Sequence, residues 1–170
     1  AILRAAGRSC DLIQIHQDPD TPALIGLTYQ EARKPLLSWV GIAARSDSAL
    51  DTPQDAGEVK TQGERGARYQ KLVETLFAYR AADGSYPMVG LDWWEYMDKV
   101  DERINWGLVT PSHNAYDGHD AVIRRGSDRW GYPTGGEERN YGDFLSSATR
   151  ANLEAMRRLQ EEAKQEKKRR

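Results

Sequence analysis

Three short apolar runs, each separated from the next by a stretch with helical periodicity, constrain the fold of this chain more than any other feature. The runs are residues 11–16, 36–43 and 87–94, all rich in aliphatic and aromatic side chains. A helix between consecutive strands implies a right-handed crossover and parallel pairing. The sequence therefore predicts an α/β fold in which these runs are neighbouring parallel strands.

Two short helices are predicted beside the first strand. Residues 1–8 are good helix formers, and Gly7 is expected to end this helix. Thr28 and Glu31 have the spacing of a capping box, which predicts a second helix from Thr28 to Arg33.

A longer helix is predicted over residues 64–81, before the third strand. One of its faces is apolar at helical spacing, so Arg65 and the other charged side chains are expected to face away from the core; the apolar stripe comprises Leu72, Val73, Leu76 and Phe77. The preceding residues 47–63 are rich in Asp, Pro and Gly and predict a long surface loop.

The C-terminal third of the chain predicts two kinds of structure. Residues 105–142 are rich in glycine and aromatic residues and are expected to form a long ordered loop. Residues 143–170 have helical spacing and end in a basic tail, so the predicted division is 1–142 and 143–170. The tail either contacts nucleic acid or acidic lipid, or is a solvated helix end whose cations complement the helix dipole.

Composition excludes several classes of function. The 170 residues carry 24 basic and 26 acidic side chains, for a net charge of −2, and the mean hydropathy is −0.76. No apolar run approaches the ~20 residues of a membrane span, so neither a membrane nor a nucleic-acid partner is expected. Cys10 is the single cysteine, no zinc-ligand spacing is present, and no metal or cofactor is predicted. The compartment stays open; secretion or a periplasmic location would require an upstream signal peptide.

Polar and aromatic side chains follow each predicted strand. His16 and Gln17 end the first run, and Asp47 follows the second. Each has an alternative role, because His16 could be a structural histidine and Asp47 could cap the local backbone. At the carboxyl ends of parallel strands, all three are candidate substrate-binding residues. The loop residues His113, Asn114, Tyr116, Asp117 and His119 could form a further subsite, but their spacing matches no metal-ligand signature.

The third strand ends in a cluster of tryptophans and carboxylates. Trp93 and Trp94 lie between Asp92 and Glu95, and Asp98 follows. Sugar rings stack on indole while their hydroxyls bond to carboxylates, so the cluster predicts carbohydrate binding. Alternatively, one tryptophan packs between strand and helix and the acids pair with nearby cations. Neighbouring strand residues point to opposite faces, so a regular strand can present only one of the two tryptophans to a ligand.

Four strings in register resemble the last strands of clan A glycoside hydrolases, particularly the agarase-like and β-galactosidase-like retaining enzymes. They are ILRAAGRSCDLIQIH, RSDSALDTPQ, TQGERGARYQKLVETLF and MVGLDWWEYMD. The resemblance implies the C-terminal β/α units of a TIM-type (β/α)8 barrel, in which Trp93 stacks on the sugar. It also places Asp92 and Glu95 among substrate-facing groups and matches Asp98 to the acid that closes the motif. The segment Asn105-Trp-Gly-Leu-Val109 resembles the one that follows in such enzymes.

One departure from this family bears on catalysis. Retaining members place a nucleophilic glutamate at the end of strand seven, opposite an acid/base glutamate on strand four. The matching stretch here, residues 37–42, has no carboxylate, and strand four would lie upstream of Ala1.

Two functions are predicted on this basis. The first is a glycoside hydrolase acting on a β-linked poly- or oligosaccharide, with Asp92 or Glu95 as the catalytic carboxylate. The alternative is a non-catalytic carbohydrate-binding relative that lacks the strand-seven nucleophile. A third, interaction through the basic tail, has the least support. Because Ala1 falls within a helix-forming run, we expect a longer parent protein. The isolated chain is then expected to expose sheet edges through which it oligomerises or aggregates.

Overall fold

The computed structural model describes residues 1–16, 22–44, 59–98, 104–109, 126–127, 133–134 and 141–169. The chain divides into two compact units: unit 1 comprises residues 1–40 and 71–93, and unit 2 comprises residues 41–70 and 94–170. In chain order the elements are α1 (Ile2–Ser9), β1 (Ile13–His16), α2 (Pro22–Ala32), β2 (Leu36–Val40), α3 (Gln62–Ala78), β3 (Met88–Trp93), β4 (Gly126–Ser127), β5 (Pro133–Thr134) and α4 (Tyr141–Arg169). The described fold is therefore mixed α/β.

Unit 1 contains the predicted parallel sheet. Its strand order is β1-β2-β3, and both neighbouring pairs are parallel. In register, Leu36 on β2 lies opposite Ile13 on β1 and Met88 on β3. The prediction of three neighbouring parallel strands is confirmed. A short antiparallel pair, β4 with β5, was not predicted.

The strands are shorter than the apolar runs that predicted them. β2 ends at Val40 because the backbone beyond it bonds to other partners. The carbonyl oxygen of Ile42 accepts a hydrogen bond from Arg65 Nε at 2.7 Å, and that of Ala43 accepts one from the Val59 amide at 3.0 Å. Apolar character therefore continues into the core of unit 2 after sheet pairing has stopped.

The two faces of the sheet differ in burial. On β2, Leu36, Ser38 and Val40 are buried, whereas Leu37 and Trp39 between them are half-buried. Side chains alternate between faces along a strand, so one face belongs to the core of unit 1 and the other is accessible. Residues Ile25, Leu72, Val73, Leu76 and Met88 complete this core.

Helix α2 begins earlier than the capping box predicted. It starts at Pro22, and Thr28 lies in its interior with only 1% of its surface exposed. Proline is favoured in the first helical turn because its fixed φ suits a helix and its missing N–H needs no partner there. The helix ends at Ala32, where Arg33 adopts a positive φ of 54° and its amide bonds to the Tyr29 carbonyl at 2.8 Å. Thr28 therefore does not cap this helix.

Gly7 does not end helix α1; it is the point where α1 meets α2. A Cβ at Gly7 would overlap the carbonyl oxygen of Ala32 and lie 2.9 Å from its carbonyl carbon. An exposed ion pair between Arg4 and Glu31 joins the same two helices at 2.5 Å. The glycine is thus required by close helix packing.

Replacing Gly7 by alanine is expected to lower the free energy of unfolding by about 1–3 kcal/mol, because backbone atoms of α2 would have to move. Gly63 provides a matched control in the first turn of α3, since a Cβ there would only touch Thr61 Oγ1 at 3.8 Å. Gly63→Ala should be neutral or stabilising by up to about 1 kcal/mol. Urea melts of both variants test this; equal stability for the two would contradict the assigned contact.

Unit 2 is organised by the packing of α3 against α4. At Gly66 on α3, a Cβ would lie 2.6 Å from Ser147 Cβ, so the two helices approach closely. Nearby, the rings of Tyr69 and Phe144 meet edge to face with centroids 6.0 Å apart, and Tyr69 donates to Asn152 Oδ1 at 3.0 Å. The predicted C-terminal helix is confirmed, and its first half is a structural element of unit 2.

Candidate functional site

Three chemically distinct side chains form one row across the accessible face of the sheet. His16 on β1, Trp39 on β2 and Asp92 on β3 are aligned residue by residue in the two strand pairings. Residues opposite each other in register share a face. His16 and Asp92 are exposed and Trp39 is half-buried. We call these three residues the sheet row.

A further polar residue on the same face contacts the row from a neighbouring position on β1. Gln14, two positions before His16 on β1, donates from Nε2 to Asp92 Oδ2 at 2.6 Å. The outer strands of a three-stranded sheet are separated by about 9.6 Å, twice the strand spacing. Contact between side chains of β1 and β3 therefore requires both side chains to lean over β2.

The imidazole of His16 lies against the indole of Trp39. Their ring centroids are 4.6 Å apart with planes tilted by 43°. This contact orients both rings while leaving His16 exposed. An imidazole and a carboxylate thus flank an aromatic ring across three strands, and the row combines a stacking surface with hydrogen-bonding groups on both sides.

The two predicted tryptophans lie elsewhere. Trp93 is the last residue of β3, in register with the buried Val40, and therefore points to the face opposite Asp92. Trp94 follows the strand, belongs to unit 2 and is 38% exposed. Of the predicted site residues, His16 and Asp92 are brought together. Gln17 and Asp47 lie outside the described residues, as does the histidine-containing loop, residues 113–119.

The remaining predicted acids belong to unit 2. The half-buried Glu95 is held by its backbone amide, which donates to the Trp106 carbonyl at 3.4 Å. Asp98 is only 1% exposed, and Asn105 Nδ2 and the Gly107 amide each donate to its Oδ1 at 2.8 Å. Tyr141, the first residue of α4, donates its hydroxyl to Oδ2. Donors within the protein therefore already engage both oxygens of Asp98.

Asp98 is part of a larger network of buried polar side chains. Asn105 Oδ1 accepts hydrogen bonds from Gln62 Nε2 at 2.9 Å and from the Ala44 amide at 3.3 Å, while Asn105 Nδ2 also donates to Tyr141 Oη at 2.8 Å. Gln62 Oε1 in turn accepts from Arg65 at 3.2 Å. The network joins the start of α3 and the start of α4 to Asp98 and residues 105–107.

Arg65 is fully buried, contrary to the prediction that it faces away from the core. Besides the Ile42 carbonyl, its guanidinium donates to the carbonyl oxygens of Trp106 at 2.7 Å and Gly107 at 2.9 Å. The guanidinium carbon lies 4.3 Å from the centre of the Phe144 ring. Helical periodicity predicted an exposed Arg65 because it gives only the positions of side chains around one helix. It contains no information on the irregular segments that cover the N-terminal half of α3.

Burial raises the pKa of the Asp98 carboxyl above its ordinary value. The hydrogen bonds from Tyr141, Gly107 and Asn105 and the charge of Arg65 oppose this shift without cancelling it. An aspartate whose folded pKa is raised binds protons more readily in the folded state. Ionisation of Asp98 therefore lowers the stability of the fold. This loss develops as pH rises from the pKa of an aspartate in the unfolded chain, about 3.9, through the raised pKa in the folded chain.

We therefore expect the pH dependence of stability to differ between the parent chain and Asp98→Asn. The asparagine cannot ionise. The stability that the substitution loses, because Tyr141 no longer has a carboxylate acceptor, therefore stays constant with pH. As pH rises from about 4 to 7, the parent should lose stability relative to the variant, by about 1.4 kcal/mol per unit of raised pKa. Urea melts across this range measure the difference. A difference that is constant, or that moves in favour of the parent, would contradict the raised pKa.

Sequence patterns missed Gln14, Trp39, Asn105, Tyr141 and the burial of Arg65. The sequence prediction took candidate residues from the ends of the apolar runs, whereas Gln14 and Trp39 lie within the strands. Alternation within the strands, counted back from His16 and Asp92, would have identified both. No local signal marks Tyr141 as a partner of Asp98, since they are far apart in sequence.

Comparisons with known proteins and searches for other sites give no independent assignment. No family model, curated protein or solved structure matches the chain. In the part of the chain that the structure describes, no three His, Cys, Asp or Glu side chains are grouped to hold a metal ion. Nor does any helix there combine the length and apolar character required to cross a bilayer. Function is therefore inferred from the chain's own geometry.

Proposed function

We propose that this chain is the C-terminal part of a (β/α)8-barrel glycoside hydrolase that acts on a β-linked poly- or oligosaccharide. The supporting observation is the sheet row: an indole flanked by an imidazole and a carboxylate on an accessible face of a parallel sheet. The family resemblance suggests the same class of protein. The two lines of support share Asp92, whereas Trp39 comes from the register of β2 alone, because it is not among the residues that carry the resemblance's sugar contacts.

Among the described residues, one face of the sheet remains accessible, and this favours a barrel interior over an open sheet. Parallel sheets in soluble proteins have both faces covered, either by helices on both sides or by closure into a barrel. In a barrel the inward side chains converge, as Gln14 and Asp92 do here. The carboxyl ends of the strands, where His16 and Asp92 lie, are the ends at which barrel enzymes place their active sites.

A single pyranose ring fits the chemistry of the sheet row. Its C–H face would stack on the Trp39 indole, because aromatic rings bind apolar sugar faces. Asp92 would accept hydrogen bonds from hydroxyls at one edge, and His16 would donate or accept at the other. Both polar groups belong to strands adjacent to β2, so they lie on opposite sides of the indole.

Asp92 is the carboxylate through which this chain would contribute to catalysis. It is exposed on the same face as Trp39, whereas Glu95 belongs to unit 2. In a retaining mechanism the ionised carboxylate attacks the anomeric carbon, and an acid/base carboxyl protonates the leaving oxygen. That second carboxyl would come from strand four, upstream of Ala1.

A second candidate is a carbohydrate-binding barrel without catalysis. It is favoured by one specific observation: β2, which corresponds to strand seven, presents Leu37 and Trp39 on the accessible face and contains no carboxylate. Such a protein would use the same row to hold a sugar without cleaving it.

The test combines binding and turnover in the full-length gene product. Agaro-, cello- and β-galacto-tetraoses are titrated by calorimetry, and their cleavage is followed by release of reducing ends. If the protein is a hydrolase, it should cleave at least one of these tetraoses. Turnover should then fall by two orders of magnitude or more in Asp92→Asn. Binding without cleavage favours the second candidate. No binding of any tetraose would contradict both.

A further inference from the structure

The hydrogen bond between Gln14 and Asp92 assigns a role to a residue outside the sheet row. Gln14 Nε2 donates a hydrogen bond to Asp92 Oδ2 at 2.6 Å. Both residues are exposed. An ionised carboxylate only accepts hydrogen bonds, so the glutamine must present its amide N–H to Asp92 and turn its carbonyl oxygen away.

The sheet is shaped so that this contact can form. Gln14 is in register with Leu37, and Leu37 with Gly90, so β3 contributes no side chain to Gln14's own row. A Cβ at Gly90 would lie 2.9 Å from Leu37 Cδ1. The Leu37 side chain therefore occupies the space beside Gly90, and Asp92 is the next residue of β3 on this face, to which Gln14 donates its hydrogen bond from two strands away.

An exposed contact of this kind has little value for stability. Fixing a glutamine side chain costs up to about 2 kcal/mol of rotamer entropy, similar to the net gain from one hydrogen bond. What the contact does is to fix one carboxylate oxygen in place. Among the described residues, Gln14 is the side chain that bonds to Asp92, and Oδ1 remains for another donor.

We propose that Gln14 is a positioning residue, which holds the Asp92 carboxylate so that Oδ1 meets a sugar hydroxyl. This inference rests on the proposed function of the sheet row. Losing the donor should let Asp92 rotate away. Gln14→Leu should therefore weaken binding of the tetraose bound by the parent by about tenfold, the change expected for one bond to a charged group.

Gln14→Glu gives a readout that a purely structural role would not produce. It places two carboxylates in contact, and their repulsion at pH 7 should weaken tetraose binding at least as much as Gln14→Leu does. Near pH 5 the pair can share one proton, which bridges the two oxygens as the amide does. His16 lies on the same face in both proteins, so affinity is expressed as the ratio to the parent at the same pH. The ratio should recover as pH falls.

Calorimetric titration of the parent, Gln14→Leu, Gln14→Glu and Asp92→Asn between pH 5 and 7 tests the proposal. Gln160→Glu, an equal charge change at an exposed position on α4, is the matched control and should bind like the parent. If Asp92→Asn weakens binding but both Gln14 variants match the parent at every pH, the positioning role is overturned while the sugar site stands. If the parent binds no tetraose, the proposed function fails and this inference fails with it.

Discussion

Replacing Arg65 by methionine is expected to lower the free energy of unfolding by about 3–5 kcal/mol, a large part of the stability of a small domain. The methionine keeps the unbranched apolar stem of the side chain but is shorter and removes every donor. The buried carbonyl oxygens of Ile42, Trp106 and Gly107 would then lose the hydrogen bonds that Arg65 supplies. A buried acceptor without a donor costs about 1–3 kcal/mol, and three are affected together.

Two further variants make this prediction specific. Arg65→Lys keeps the charge but lacks the planar fork that reaches several carbonyls at once, so it should also be clearly destabilised. Arg157→Met removes an exposed arginine from α4 and should change stability by less than about 0.5 kcal/mol. Urea melts followed by near-UV circular dichroism compare the three. Equal melts for Arg65→Met and Arg157→Met would show that the network does not support unit 2.

Replacing Trp39 by alanine is expected to weaken tetraose binding by about 1–3 kcal/mol, or roughly 5–150-fold. The change removes the stacking surface between His16 and Asp92. It also removes the ring that His16 contacts at 4.6 Å, so the histidine loses its orientation. Stability should fall less than affinity, because Trp39 is half-buried on the accessible face.

The control variants separate stacking from a general loss of apolar surface. Trp39→Phe retains an aromatic face and should recover part of the affinity. Leu153→Ala removes a side chain that is 62% exposed on α4 and should bind like the parent. Trp93→Ala and Trp94→Ala test the tryptophans that the sequence predicted. If binding is lost in either of these and kept in Trp39→Ala, the sugar site lies elsewhere than on the sheet row.

The regular part of the fold was predictable because its signals are local. Parallel strands follow from apolar runs separated by helical stretches, and α4 follows from helical spacing alone. Element ends were less predictable. β2 stops at Val40 because Ile42 and Ala43 bond to Arg65 and Val59, and no pattern within the apolar run indicates those partners.

The candidate site was predictable in its chemistry but not in its composition. His16 and Asp92 were identified from their positions at strand ends, and they do share one face. The stacking residue was expected at Trp93 or Trp94. Strand alternation turns Trp93 to the opposite face, whereas the register of β2 brings Trp39 between the two polar residues. Register depends on pairing between distant strands, which the sequence of any one strand does not specify.

The most direct test of the sheet row follows individual indole and imidazole signals during a titration. The chain has five tryptophans and three histidines, so their nuclear magnetic resonance signals can be assigned by single substitutions. On addition of the tetraose that binds, the Trp39 indole N–H and the His16 ring are predicted to show the largest shifts, and the His16 shift should disappear in Trp39→Ala. Large shifts at other tryptophans with Trp39 and His16 unchanged would contradict the proposed site.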